Sequence, residues 1–139
     1  MPAAREERLG APPKIWIVED DPAVRRSLLL LLQGRGFEAR AFPAGGPMLS
    51  DAEVGSADCA VIDYRLDDRD GIDLLRRLRE QGWTRPAILI SAHNADDLAA
   101  RALKTGFAMV LEKPLREHVL VDAVARLTRA DAGAASVSR

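Results

Sequence analysis

The sequence is poor in cysteine and in aromatic side chains. Among 139 residues there is one cysteine, Cys59, and aromatic residues make up 4% of the chain. A single cysteine excludes an internal disulfide, and the charged start Arg5-Glu6-Glu7-Arg8 lacks the apolar stretch of a secretory signal peptide. We therefore expect a reducing, cytoplasmic location.

The sequence also lacks long apolar runs and an excess of charge of one sign. Its longest leucine run, 28–32, is far shorter than the roughly 20 residues of a membrane-spanning helix. The 20 basic residues are balanced by 21 acidic ones, which disfavours a broad nucleic-acid-binding surface. We expect no membrane contact and no nucleic-acid partner, and the length and 47% hydrophobic content favour one globular domain.

Apolar runs alternate with helical patterns from Lys14 onward. Strands are predicted at 14–18, 37–42, 59–62, 86–91 and 107–111, and helices at 22–33, 47–53, 72–80, 94–105 and 115–127. This alternation predicts an α/β doubly wound, five-stranded parallel sheet in a three-layer sandwich, for which the strand order 2-1-3-4-5 is common. We expect a flexible N-terminal tail at 1–13, a domain at 14–129 and a flexible C-terminal tail at 130–139.

The pattern also predicts how the helices begin and end. Asp21 is expected to cap the first helix, and Asn94 the fourth, since Asp and Asn side chains accept bonds from first-turn amides. Gly34, Gly82 and Gly106 are expected to end the first, third and fourth helices.

Polar side chains follow four of the five predicted strands. They are Glu19 and Asp20 after the first, Asp63 after the third, Ser91 after the fourth and Lys113 after the fifth. Open α/β sheets bind ligands beyond the carboxyl ends of their strands. Carboxylates without a soft ligand suit Mg²⁺, while an ammonium and a hydroxyl group suit the oxygens of a phosphoryl group. The pattern therefore predicts a metal-dependent site for a phosphoryl group on or near Asp63.

With these motifs in order, the chain from 14 to 127 resembles the receiver domain of two-component response regulators. The resemblance is carried by 17–25 (IVEDDPAVR), 61–66 (VIDYRL) followed by 70–71 (DG), 90–92 (ISA) and 112–114 (EKP). It implies a flavodoxin-like (βα)5 fold of a bacterial signalling protein. It also implies a cis peptide bond between Lys113 and Pro114.

The resemblance assigns roles to the predicted site. Asp63 would be the phosphoacceptor, taking a phosphoryl group from a phosphohistidine on a sensor histidine kinase or phosphotransfer protein. Mg²⁺, with Mn²⁺ as an alternative, would be held by Glu19, Asp20, Asp63 and the backbone carbonyl of Arg65. Lys113 would pair with the acceptor carboxylate and then with the phosphoryl group. Ser91 would bind a phosphoryl oxygen and draw the following loop inward.

The loop after the acceptor departs from the family pattern. Leu66 and Asp67 stand where receiver domains commonly carry Met-Pro, so the loop is expected to be less rigid. Its carboxylates Asp67 and Asp68 would either extend the metal site or repel some kinases. The alternative, which we favour, is a solvated loop.

Three further positions are expected to modulate the site. Val110 stands where many relatives have Tyr or Phe, so we expect activation to rely on loop and backbone movement near Ser91 rather than on an aromatic rotamer. Arg65 and His93, two places after the acceptor and the hydroxyl, are expected to tune the lifetime of the aspartyl phosphate.

The five consecutive leucines at 28–32 cover every side of the first helix, more than one sheet-facing stripe uses. Burial against the last helix is the simpler interpretation. A homodimer surface, to which Val121 on the last helix would contribute, is the alternative.

We predict a single-domain response regulator that signals through phosphorylation-dependent contacts with a downstream protein target or through a phosphorelay. Only 12 residues follow Leu127, too few for a helix-turn-helix output domain, and Met1 favours a natural start. We expect no enzymatic activity beyond its own phosphotransfer and autodephosphorylation. The alternatives are a receiver fragment of a larger regulator or hybrid kinase, a non-phosphorylated pseudo-receiver that binds partners, and an α/β phosphohydrolase, which would need a substrate pocket or cap.

Overall fold

Five parallel strands form one sheet in the structure, a computed structural model that describes residues 10–92 and 96–137. The strands are β1 (Lys14–Val18), β2 (Glu38–Phe42), β3 (Cys59–Asp63), β4 (Ala87–Ser91) and β5 (Met109–Glu112). They lie in the order β2-β1-β3-β4-β5, with every neighbouring pair parallel. The predicted doubly wound α/β sheet and its strand order are confirmed.

Five helices connect or follow the strands. They are α1 (Pro22–Gly34), α2 (Gly45–Ser50), α3 (Gly71–Glu80), α4 (Asp96–Thr105) and α5 (Glu117–Val137), with a 3-10 turn at Val54–Ser56. The helix predicted at 47–53 instead begins at Gly45 and ends at Ser50, and the 3-10 turn follows the predicted range. The last helix continues past its predicted end at 127, through an alanine-rich stretch of high helix propensity. Among the described residues, no helix combines the length and apolar character needed to cross a membrane.

The helix ends follow the predicted signals with one exception. Asp21 caps α1 by accepting bonds from two first-turn amides, and Gly82, with φ +94°, follows α3. Gly34, however, is still helical, and the left-handed residue after α1 is Gly36, with φ +90°. Gly36, rather than Gly34, therefore occupies the left-handed position that follows the helix. The predicted cap Asn94 lies outside the described residues.

Both faces of the sheet are buried, because alternate strand residues contribute to two separate clusters. In β1, Trp16 and Val18 face the cluster that also receives α3 and α4, whereas Ile15 and Ile17 face the cluster that receives α1 and α5. The first cluster also contains Met48, Ile62, Ile72, Leu74, Leu75, Leu78 and Leu89, and the second contains Val61, Ile88, Ile90, Leu120 and Val124. Burial on both sides explains why the strands read as unbroken apolar runs.

The leucine block of α1 is largely explained by this packing. Leu28 and Leu32 are buried in the second cluster, and Leu29 and Leu31 pack partly against it. Val121 is buried in the same cluster, so it is not surplus to the core. Leu30 alone of the five is mostly exposed, at 53%. The burial interpretation therefore accounts for the block without a homodimer surface.

The difference between buried and exposed leucines gives a matched pair of variants. Leu74 on α3 is fully buried, whereas Leu103 on α4 is 54% exposed. Replacing Leu74 with Ala leaves a cavity and should lower the free energy of unfolding by about 2–5 kcal/mol. Leu103→Ala should change it by less than about 0.5 kcal/mol. Urea denaturation of both variants tests this, and equal losses would contradict the described packing.

Candidate functional site

Backbone hydrogen bonds continue beyond the strand ends and bring the predicted site residues to one edge of the sheet. The Glu19 amide donates to the Phe42 carbonyl at 3.1 Å, and the Lys113 amide donates to the Ser91 carbonyl at 2.8 Å. Asp63 is the last residue of the central strand β3. Residues that are far apart in the chain thus meet where four strands end.

Two buried carboxylates share one ammonium group at this edge. Glu19 and Asp63 are only 1% and 6% exposed. Lys113 Nζ lies 3.2 Å from Glu19 Oε1 and 3.3 Å from Asp63 Oδ2. Burial of Lys113 favours its neutral form, but attraction to Asp63 and Glu19 outweighs this and raises the pKa of Lys113. Lys113 therefore provides a fixed positive charge beside the Asp63 carboxylate.

The electrostatics of Glu19 are dominated by its burial. Burial raises the pKa of Glu19 to about 7. The Asp21 amide acts in the opposite direction, because it donates a hydrogen bond to Glu19 Oε2 at 3.2 Å and so lowers the pKa. The neighbouring Asp63 carboxylate raises the pKa further, and Lys113 lowers it. One ammonium group thus leaves this site short of positive charge.

The carboxylates fit a divalent cation. Single oxygen atoms of Glu19, Asp20 and Asp63 all lie within 4.8 Å of one another. These are hard oxygen donors, and the cluster carries more negative than positive charge, which suits Mg²⁺ or Mn²⁺. Arg65, whose backbone carbonyl is the fourth expected ligand, lies two residues after Asp63 and forms an antiparallel bridge with Asp70.

The loop between β3 and α3 is closed by Asp70 and Gly71. Asp70 caps α3 through a 2.8 Å bond from the Asp73 amide, and the Gly71 amide donates to the Tyr64 carbonyl at 2.7 Å. A Cβ at position 71 would lie 2.6 Å from the Asp63 carbonyl oxygen. Glycine is therefore required for the loop to return this close to Asp63.

The two acidic loop residues have different surroundings. Asp67 is exposed, and a side-chain contact with Asp20 together with charge repulsion raises the pKa of Asp67. The Asp68 carboxylate instead accepts bonds from the Gly45 and Gly46 amides at 3.1 and 2.8 Å. Partial burial of Asp68 favours its neutral form, yet these bonds lower its pKa. Both carboxylates are exposed, as expected for a solvated loop, and that of Asp68 is in addition hydrogen-bonded to α2.

The remaining predicted positions are only partly brought to the site. Ser91 is 2% exposed at the end of β4, at the same edge as Asp63. Val110 packs partly buried against the first core cluster, and Arg65 is exposed. His93 lies outside the described residues. The Lys113–Pro114 peptide bond is cis, as the resemblance implies.

Two arginines at the site were not predicted from the sequence. Arg25 of α1 donates to the Glu19 and Asp20 carbonyl oxygens at 3.0 and 3.4 Å. The Tyr64 side chain raises the pKa of Arg101 of α4. For Arg25, the signal was present as a basic residue one turn into the helix that follows the acidic pair. The Tyr64–Arg101 contact spans elements that the sequence does not relate.

Comparison with known proteins agrees with this geometry. Residues 15–125 match the family described as "Response regulator receiver domain". The chain is 33% identical over 110 residues to the response regulator protein TodT of Pseudomonas putida, covering 79% of this chain and 48% of TodT. It is 35% identical over 106 residues to the transcriptional regulatory protein FixJ of Bradyrhizobium diazoefficiens, covering 76% and 52% of the two chains. The chain spans about half the length of these curated relatives.

A solved structure supports the same assignment. The receiver domain of the Francisella response regulator 1452 superposes with a TM-score of 0.80 at 27% identity, covering 86% of this chain and 98% of that one. The fold and the acidic site together define a signalling domain of the phosphoacceptor class. The chain belongs to the response regulator receiver domain family.

Burial of Glu19 predicts a pH dependence of stability in the absence of divalent cations. The pKa of Glu19 is about 7 when folded and near 4.5 in a model peptide, so folding binds a proton between these values. The contribution of Glu19 to stability should therefore fall as the pH rises from about 4.5 to about 7. Glu19→Gln should be more stable than the parent at pH 8 and similar to it at pH 4. Thermal denaturation in chelator tests this, and a gap that does not grow with pH would contradict it.

The close approach of Gly71 predicts a severe effect of one methyl group. Gly71→Ala should destabilise the fold by roughly 1–3 kcal/mol, because the new Cβ meets the Asp63 carbonyl oxygen at 2.6 Å in addition to the buried side chains of Ile62 and Leu89 at 2.9 Å. Gly55→Ala is the control, since nothing lies within 4 Å of its Cβ position. Urea denaturation measures both changes. If Gly71→Ala is as stable as Gly55→Ala, the described loop path is wrong.

Proposed function

We propose that Asp63 accepts a phosphoryl group from a phosphohistidine on a sensor histidine kinase or phosphotransfer protein. A carboxylate oxygen of Asp63 forms a bond to phosphorus as the P–N bond of the donor breaks, and the bonding pair leaves with the imidazole nitrogen. The observation that carries the proposal is the buried Asp63 carboxylate, 3.3 Å from Lys113 Nζ and clustered with Glu19 and Asp20.

The surrounding residues support the transfer in separate ways. Lys113 orients the Asp63 carboxylate and offers its positive charge to a phosphoryl oxygen. Glu19, Asp20, Asp63 and the Arg65 carbonyl would hold Mg²⁺ or Mn²⁺. When bound, such a cation supplies charge neutralisation for the phosphoryl oxygens. The buried Ser91 at the end of β4 offers a hydroxyl to the phosphoryl group.

A groove beside the site favours a protein as the phosphodonor. It has a volume of about 620 Å³ and is lined mainly by apolar side chains of α1 and of the segment after β5, including Val24, Leu31 and Leu115. Lys113 also lines this groove, so it connects the groove with Asp63. We propose that a helix of the phosphodonor protein docks here.

The output of the phosphorylated domain is proposed to be a protein contact. Contact of Ser91 with the phosphoryl group would draw in the segment after β4, without an aromatic side chain at position 110. The target is then a downstream protein or a phosphorelay partner. A cytoplasmic location goes with this proposal, because Cys59 is a buried free thiol.

A second arrangement is favoured by the lengths of the relatives. Because the chain spans about half of TodT and FixJ, the same domain could serve as the receiver unit of a longer regulator. The phosphoacceptor chemistry is identical in both arrangements. The source of the output differs, since it would then lie in another part of the regulator.

Intact-mass measurement after incubation with acetyl phosphate and Mg²⁺ tests the acceptor chemistry. We expect one phosphoryl adduct on the parent protein and none on Asp63→Asn or in the presence of a chelator. Asp122→Asn, which removes an exposed carboxylate of α5, is the matched control and should be phosphorylated like the parent.

The other outcomes separate the rival functions. Continuous release of phosphate at enzyme-like rates without an adduct would favour a phosphohydrolase. The absence of both adduct and turnover would favour a pseudo-receiver. An adduct that persists in Asp63→Asn would place the acceptor elsewhere.

A further inference from the structure

The middle of the β3–α3 loop is tied to α2 by one carboxylate. Asp68 accepts bonds from the Gly45 amide at 3.1 Å and from the Gly46 amide at 2.8 Å, across more than 20 residues of sequence. First-turn amides of a helix have no partner within the helix, and bonds from such amides to a carboxylate are stronger than bonds to neutral acceptors. Asp68 thus fastens the acceptor loop to a neighbouring element.

Arg69 reinforces the same contact. Its Nε lies 3.4 Å from Asp68 Oδ2, and its Nη1 lies 3.7 Å from Asp73 Oδ2. A Cβ at position 45 would lie 2.8 Å from Arg69 Cδ, so Arg69 packs directly over Gly45. We call the group of Asp68, Arg69, Gly45 and Gly46 the loop clamp.

The loop clamp holds the short segment 66–69, whose two ends are fixed by other hydrogen bonds. The bridge between Arg65 and Asp70, together with the bond from the Gly71 amide to the Tyr64 carbonyl, closes the base of the loop. Between these ends, the bonds of Asp68 fix the path of the backbone. This chain has no proline at 66–69, so no proline ring restricts that path.

We propose that Asp68 is a positioning residue for the divalent cation of this site. By fastening the loop to α2, it would add to the Arg65–Asp70 bridge in restricting the movement of Arg65, whose backbone carbonyl is the fourth expected ligand. This inference rests on the proposed function, and it assigns to Asp68 an effect on cation affinity rather than on the transfer rate once the cation is bound. Partners that orient metal ligands without touching the metal typically change affinity by about 10–100-fold.

The test measures Mg²⁺ binding by calorimetry, and phosphorylation by acetyl phosphate over a range of Mg²⁺ concentrations. Asp68→Ala removes both bonds and should raise the Mg²⁺ dissociation constant by about tenfold. Its phosphorylation rate at saturating Mg²⁺ should stay within about twofold of the parent. Asp68→Asn keeps one oxygen acceptor and should give an intermediate dissociation constant.

Asp73→Ala is the matched control for loss of charge. Asp73 also pairs with Arg69, but its carboxylate makes no described bond to α2, and its amide keeps its bond to Asp70. We expect its Mg²⁺ affinity to stay within about twofold of the parent. Amide hydrogen exchange at Gly45 and Gly46 should become faster in Asp68→Ala and remain unchanged in Asp73→Ala.

The outcomes distinguish this inference from the proposed function. Suppose that the parent is phosphorylated at Asp63, and that Asp68→Ala has faster amide exchange at Gly45 and Gly46 but binds Mg²⁺ like the parent. The positioning role of Asp68 is then wrong, and the proposed function stands. Equal weakening in Asp68→Ala and Asp73→Ala would also overturn it, because charge alone would explain the loss. If the parent neither binds Mg²⁺ nor accepts a phosphoryl group, both proposals fail. Should Asp68→Ala not fold, Asp68→Asn decides by the same comparison.

Discussion

The ammonium group of Lys113 between the buried carboxylates of Glu19 and Asp63 sets the electrostatics of the whole carboxyl edge of the sheet. Removing carboxylates from water is unfavourable unless each charge is compensated. One lysine beside three clustered carboxylates leaves the compensation incomplete, which explains why burial raises the pKa of Glu19. The fold thus maintains a local excess of negative charge at this edge, and such a charge favours a divalent cation with oxygen ligands.

Different kinds of contact hold the reactive groups and the loops around them. Glu19, Ser91 and Lys113 are held by backbone bonds that prolong the strand ladders, so their positions depend on the sheet itself. The loop between β3 and α3 depends also on a side chain, since Asp68 joins it to α2. The residues at the strand ends are therefore held more firmly than the loop between β3 and α3, whose position depends on single polar contacts.

The sequence predicted the sheet, its order and the residues at its carboxyl edge because apolar periodicity and strand-end polarity are local signals. The sequence was less informative about contacts between residues that lie far apart along the chain. The hydrogen bonds of Asp68 to α2 were not expected, because its partners at 45 and 46 are remote in sequence, and the effect of Tyr64 on the pKa of Arg101 follows from no sequence pattern. The end of α1 lies within one residue of its prediction, whereas α5 runs past 127 because the alanine-rich residues that follow favour a helix.

The sheet separates the two core clusters, because the side chains of β1 point alternately to the two sides: Trp16 and Val18 lie in the first cluster, and Ile15 and Ile17 lie in the second. A side chain that changes size on one side is separated from the other side by a layer of backbone. Substitutions in the second cluster, beneath α1 and α5, should therefore have little effect on packing in the first cluster, beneath α3 and α4. The side of the sheet that carries the groove can therefore change in sequence while the packing on the other side, and the edge that carries Asp63, keep their structure.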